Sequence, residues 1–296
     1  MKELLFEYDM NLVFSPPVEE HRFTLKCIPR TDERQFIKQL DVEVYPKEFL
    51  STDEDSFGNY SIYGYTKGKH DRFFARVRGQ ARTGLAPCLT ARAEHQVGLF
   101  RYQTDCTRPG PNILSFADTF ADAATEYHDL SAAVIHSADT NPIPGYDPTL
   151  SFVLTMMRGL YREFSYVQGV TNVQTTAEEA MALGRGVCQD YSHILLSLCR
   201  LHKIPCRYVV GMLIGEGLSH AWVEIYSRGH WYALDPTNNL IVDDAHIKIS
   251  SGRDYHDCIV SQGVFVGCTT QTQTVAVRVR EIDICCPAAP KHVSHV

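Results

Sequence analysis

Cys188, in Gly186-Val187-Cys188-Gln189-Asp190, is followed by His220 in Ser219-His220-Ala221-Trp222 and Asp235 in Leu234-Asp235-Pro236-Thr237. A thiol, an imidazole and a carboxylate in that order can supply the nucleophile, general base and orienting acid of an acyl transfer through a thioester. Taken singly, each has a plainer use. A helical cysteine is usually a small buried hydrophobe, a strand histidine a surface or core residue, and an Asp before Pro a turn former. The conjunction of the three carries the catalytic reading.

The elements that must position them follow from spacing. Tyr191, Ile194, Leu195, Leu198 and Leu201 fall on one helical face, with Gly184 and Gly186 before them and Lys203 and Pro205 after. Cys188 is therefore expected in the first turn, where unpaired N–H groups and the positive end of the helix dipole favour thiolate over thiol. Cys199 returns to nearly the same face but about 16 Å further along the axis, which makes it a poor nucleophile. Residues 219–226 and 230–235 alternate as two strands of a hairpin. A loop at Ser227-Arg228 would pair Tyr226 with Gly229, Glu224 with Trp231 and His220 with Asp235, Cβ atoms roughly 5 Å apart. Asp235 would then accept from Nδ1 of His220, leaving Nε2 to face Cys188.

The stretch from Gly186 to about Asp257, with G-V-C-Q-D-Y-S-H, I-P-C-R-Y-V-V-G, S-H-A-W-V-E-I-Y, W-Y-A-L-D-P-T-N-N and G-R-D-Y-H-D, resembles the bacterial transglutaminase-like superfamily, whose members are often described as cysteine proteases. Asp55-Ser56-Phe57-Gly58-Asn59 is similar to the D-x-x-G-N segment of the β-rich domain that precedes the core in these proteins. The resemblance implies a papain-like α+β core and places nucleophile, base and orienting acid at Cys188, His220 and Asp235. In relatives a Gln, Trp or Tyr upstream of the nucleophile completes the oxyanion site. Both tryptophans here lie downstream of Cys188, so Tyr166 is the candidate, with Gln168 behind it; packing of Tyr166 on the core is the competing role. Gln189 and Asp190 also match the pattern, as pocket-shaping residues, and Arg253 with Asp254 reads as a structural ion pair.

At 296 residues and 44% hydrophobic the chain can form two cores. Residues 1–105, with strands expected at 23–28, 40–45, 60–63, 73–78 and 97–102, read as a β-sandwich. Residues 106–296 read as the catalytic core, entered through a linker at 104–112. Helices are expected at 115–128 and 149–163, a break at 141–145, and strands at 207–214 and 275–284. No apolar run reaches the length of a membrane span, and the acidic N-terminus does not resemble a signal peptide, so a cytoplasmic location is expected. Ten irregularly spaced cysteines without C-x-x-C are expected to be mostly reduced, adjacent Cys285-Cys286 included. The net charge of −7, without a basic stripe, argues against nucleic acid. His292-x-x-His295 and Asp243-Asp244 are weak cues for metal, so no cofactor or metal is expected. The expected partner is a peptide or protein substrate, and self-association into a homo-oligomer stays open. Hydrolysis of a peptide, isopeptide or side-chain amide is the favoured reaction. The alternatives are a protein-glutamine transglutaminase using an amine acceptor and a non-catalytic peptide-binding relative.

Overall fold

The computed structural model describes residues 1–90, 94–136 and 147–282. The chain begins with β1 (Lys2–Leu25), β2 (Gln35–Tyr45), β3 (Phe49–Glu54), β4 (Tyr60–Thr66) and β5 (His70–Thr83). Strict alternation at the start of β1 turns Leu4, Phe6, Tyr8 and Met10 inward. The pairing of β1 with β5 shifts between Val13 and Val18, around Pro16-Pro17, which cannot donate to the ladder. Beyond that point β1 pairs with β4 instead, so one strand feeds both sheets of a β-sandwich.

A short strand β6 (Leu89–Thr90) leads into a helical segment, α1 (Glu94–Val97) with a 3-10 turn at Gly98–Arg101. A strand is expected from the sequence at 97–102. Burial of Val97 and Phe100, one helical turn apart, against Leu89 and Trp231 selects the helix instead. Then come α2 (Pro111–Asp118), α3 (Ala121–His136) and α4 (Pro148–Glu163). The single helix expected at 115–128 is two, interrupted where the Thr119 hydroxyl donates to the Phe116 carbonyl. Asp147 caps α4 by accepting from the Leu150 amide at 3.1 Å, with Pro148 at the first helical position. The break expected at 141–145, Cys285-Cys286 and His292-x-x-His295 lie outside the described residues.

The core continues through β7 (Ser165–Tyr166), α5 (Ala177–Leu183), β8 (Arg185–Gly186) and α6 (Cys188–Leu201). There follow β9 (Cys206–Leu213), β10 (Gly215–Gly217), β11 (His220–Ser227), β12 (His230–Asp235), β13 (Leu240–Ile241) and β14 (His246–Gly252). The antiparallel sheet runs β13-β12-β11-β9-β14, with α6 laid across β9 and β11. Residues 189–200 of α6 are all buried, so its polar side is enclosed by protein as well.

The last strands, β15 (Ser261–Val266) and β16 (Thr270–Glu281), return to pair with β1. The sequence reading places them with the core; in the structure they belong to the sheets of the sandwich. A second tie comes from side-chain amides. Asn59 donates to the Ser251 carbonyl and accepts from its amide, both at 2.8 Å, and Gln35 does the same with Lys248. These two amides act as a strand substitute along the free edge of β14. The 55–59 motif is thus a clamp between the two parts: Asp55 accepts from the Phe57 and Asn59 amides and from the Asn59 side chain, which fixes Asn59 for its contact.

Candidate active site

The nucleophile position is built by the turn before α6. Cys188 is its first residue, so its amide has no acceptor within the helix. Asp190 reaches back to the Val187 amide at 2.7 Å and also accepts from the Thr171 hydroxyl at 2.7 Å. Burial, opposed by these bonds, raises the Asp190 pKa above its usual range. Gly186 is required by close approach, since a Cβ there would lie 2.3 Å from Asp190 Oδ2. Cys188 is partly exposed, whereas Cys199 is fully buried and burial holds its thiol well above the ordinary value.

The hairpin departs from the expected register. Its turn is Arg228-Gly229, both with positive φ (48° and 83°), a type I′ geometry that Gly229 accommodates. Ser227 pairs with His230 and Val223 with Leu234, a displacement of two residues from a loop at Ser227-Arg228. A shift of two keeps every side chain on its face, but Asp235 becomes diagonal to His220 rather than opposite. The ring therefore reaches it through its distal nitrogen. Nε2 of His220 donates to Asp235 Oδ2 at 2.7 Å, which corrects the expected Nδ1 contact and leaves Nδ1 for the Cys188 side.

Asp235 is fully buried and accepts, besides His220, from the Thr237 and Asn238 amides and from Asn238 Nδ2 at 2.7 Å. Burial alone would raise its pKa; the bonds from His220, His246 and Asn238 overcome that and hold it far below the carboxylate range. For His220, burial favours the neutral ring, but the hydrogen bonds to Asp235 and then to Cys188 outweigh it and raise the pKa to about 10.

His246 was not anticipated from the sequence. Its Nε2 lies 3.3 Å from Asp235 Oδ2 and its Nδ1 3.1 Å from Asp243 Oδ1, so two imidazoles converge on one carboxylate oxygen. Asp243-Asp244 suggests only calcium to a linear reading, because nothing local shows that the His246 side chain, at the start of β14, reaches Asp235 at the end of β12. His220, Asp235 and His246 offer three close ligand atoms. Both rings present Nε2 to the same oxygen, Oδ2 of Asp235.

Cys188 and His220 open into a cleft of about 1140 Å³. Tyr166, Gln168 and Gln189 line it, and Tyr166 pairs in parallel with Gly186, two residues before Cys188. Gln168 Nε2 approaches the Tyr166 hydroxyl at 3.5 Å, and Gln189 donates to the Val173 carbonyl. The sandwich supplies the opposite wall with Tyr8, Gln273, Val275 and Val277. Arg253 pairs with Asp257, Nε to Oδ2 at 2.8 Å, and not with Asp254 as expected; Asp254 instead accepts from the His256 amide.

Residues 140–236 match the model of the transglutaminase-like superfamily, and residues 6–82 match the bacterial transglutaminase-like N-terminal region. The chain belongs to the transglutaminase-like superfamily. An uncharacterized Mycobacterium leprae protein is 35% identical over 125 residues, which are 39% of this chain and 44% of that relative. The chain thus spans less than half of that protein. An uncharacterized Mycobacterium tuberculosis protein is 29% identical over 254 residues, 80% of this chain and 79% of the relative. In fold, the chain resembles a crystal structure of a candidate cysteine protease from Cytophaga hutchinsonii, with a TM-score of 0.70 and 20% identity over 96% of this chain and 91% of that one. Together these establish a mixed helix and strand protein with a transglutaminase-like core behind a strand-rich N-terminal region.

Proposed function

We propose that this protein is a thiol acyl-transfer enzyme that hydrolyses a peptide, isopeptide or side-chain amide bond through a thioester on Cys188. The observation that carries the reading is the His220 ring, held at Nε2 by buried Asp235 and sharing the lining of an open cleft with Cys188, whose thiol helps to raise the ring's pKa.

The Cys188 thiol passes its proton to Nδ1 of His220 and the thiolate sulfur attacks the carbonyl carbon, while the oxyanion is stabilised by the Cys188 amide, with Tyr166 as second donor and Gln168 or Gln189 shaping the pocket. Imidazolium Nδ1–H protonates the leaving amine as the carbon–nitrogen bond breaks, leaving the thioester. His220, now neutral, takes a proton from water through the same nitrogen. The hydroxide oxygen adds to the thioester and the free acid departs as the thiolate and imidazolium are restored. Asp235 stays ionised throughout and keeps the ring in the orientation that presents Nδ1. All eight described cysteines are free, which suits a reducing compartment such as the cytoplasm.

The acceptor is tested by adding a primary amine to a turning-over peptide or glutaminyl-peptide substrate and weighing the products by mass spectrometry. Free acid as the main product supports hydrolysis. A dominant amide adduct would make the protein a transglutaminase, and no acylation of Cys188 by any such substrate would favour a peptide-binding role.

A further inference from the structure

Away from the cleft, three side chains far apart in sequence converge. Cys106 Sγ lies 3.2 Å from His256 Nδ1 across 150 residues, and that nitrogen lies 3.6 Å from Asp254 Oδ1. The Asp254 carboxylate closes the triangle on the Cys106 side, and all three ligand atoms lie within 4.8 Å of one another. We propose that Cys106, Asp254 and His256 form a divalent-cation site of zinc type, with the fourth position open to water.

Size and chemistry both suit zinc. Bond lengths of about 2.3 Å to sulfur and 2.0–2.2 Å to nitrogen and oxygen give tetrahedral edges of roughly 3.3–3.6 Å. The separations of 3.2 and 3.6 Å already sit near that span. One thiolate and one carboxylate balance a dication, and thiolate with imidazole selects zinc over magnesium or calcium. Binding moves the thiol proton to solvent and gives the sulfur lone pair to the metal.

The surroundings are those of a built site. Cys106 is 2% exposed and Asp254 6%, whereas the His256 side chain is 58% exposed and faces solvent. The His256 amide holds Asp254 Oδ1 at 2.8 Å, and Thr104 also hydrogen-bonds to that carboxylate, which fixes its direction. Arg200, anchored on the Thr107 hydroxyl and the Arg253 carbonyl, adds positive charge that favours the Cys106 thiolate. Against this, burial pushes the Cys106 thiol up to about 12, as expected for a thiol enclosed beside a carboxylate until a cation offsets the charge. His193, fully buried beneath this turn, accepts the Tyr255 amide at Nε2 and has no partner at Nδ1. Because Tyr255 lines the cleft, a metal here would fasten the segment at 104–107 to the turn that carries one wall of the active site.

The test uses the full chain carrying Cys188→Ser, so that the catalytic thiol cannot contribute, after treatment with a chelator. Cobalt(II) titration should give one equivalent with a thiolate-to-cobalt charge-transfer band in the near ultraviolet and strong visible bands of four-coordination. Zinc(II) should then displace the cobalt. Cys106→Ser should abolish the charge-transfer band. His256→Ala, at an exposed position that the fold tolerates, should weaken binding about 100-fold or more, since even outer partners of a metal ligand are worth 10- to 100-fold. Absence of the band, or its persistence with unchanged affinity in His256→Ala, would overturn the proposal, and that variant decides the matter if Cys106→Ser does not fold.

Discussion

Asp235→Asn is the sharpest probe of the site because the structure states what the charge does. The carboxylate accepts the Nε2 proton of His220 at 2.7 Å and is first among the groups that raise that ring from 6.5 to about 10. That difference corresponds to roughly 5 kcal/mol favouring the imidazolium, shared between Asp235 and Cys188. An asparagine keeps the size but can turn its NH2 toward Nε2, driving the ring proton to Nδ1 and leaving no acceptor for the Cys188 proton. Burial, the largest influence on the ring, then acts with less opposition. The His220 pKa should fall by at least about 2 units, or about 2.7 kcal/mol. By analogy with a serine triad kcat should drop about 10⁴-fold, roughly 5 kcal/mol of transition-state stabilisation. Histidine ring NMR titration measures the first quantity without a substrate, and the rate of Cys188 alkylation by iodoacetamide at pH 7 reports the loss of imidazolium support. A variant whose His220 still titrates near 10, with unchanged alkylation, would refute the assignment of Asp235 as orienting acid.

The same pair makes stability depend on pH. The raised His220 pKa contributes stability that is full below 6.5 and is lost as pH rises toward about 10; the depressed Asp235 pKa contributes above 3.8 and is lost as pH falls below it. Wild-type Tm should therefore decline from pH 6.5 to 10 more steeply than that of Asp235→Asn, and parallel curves would contradict the coupling. Cys188→Ala should eliminate activity within about 0.5 kcal/mol of wild-type stability, whereas Cys199→Ala should retain turnover and lose about 1 kcal/mol or more in urea unfolding, because Cys199 is fully buried. His246→Ala removes a donor to a buried carboxylate and should cost about 1.5–3 kcal/mol by the same measurement; a loss near zero would make that contact idle. Gly186→Ala forces a Cβ against Asp190 and should destabilise by about 1–3 kcal/mol while slowing Cys188 alkylation.

Elements whose signals are local were legible in the amino-acid sequence. The apolar spacing from Tyr191 to Leu201 and the flanking glycines placed Cys188 at a helix start, and alternation placed His220 and Asp235 on paired strands with their side chains on one face. A one-residue error in the turn moved the register by two and left that face unchanged, since strand side chains repeat every two residues. Which nitrogen of His220 meets Asp235 was decided by tertiary structure, because it depends on a diagonal reach set by the Arg228-Gly229 turn. So were the second imidazole at His246, the return of β15 and β16 to the sandwich, and the helix at 97–101, whose Phe100 packs on Trp231 from another element. The convergence of Cys106 with Asp254 and His256 belongs with these. Periodicity records which face of an element is apolar; the partner that covers it, and the polar groups that meet behind it, are set by contacts between separate segments, some of them more than a hundred residues apart.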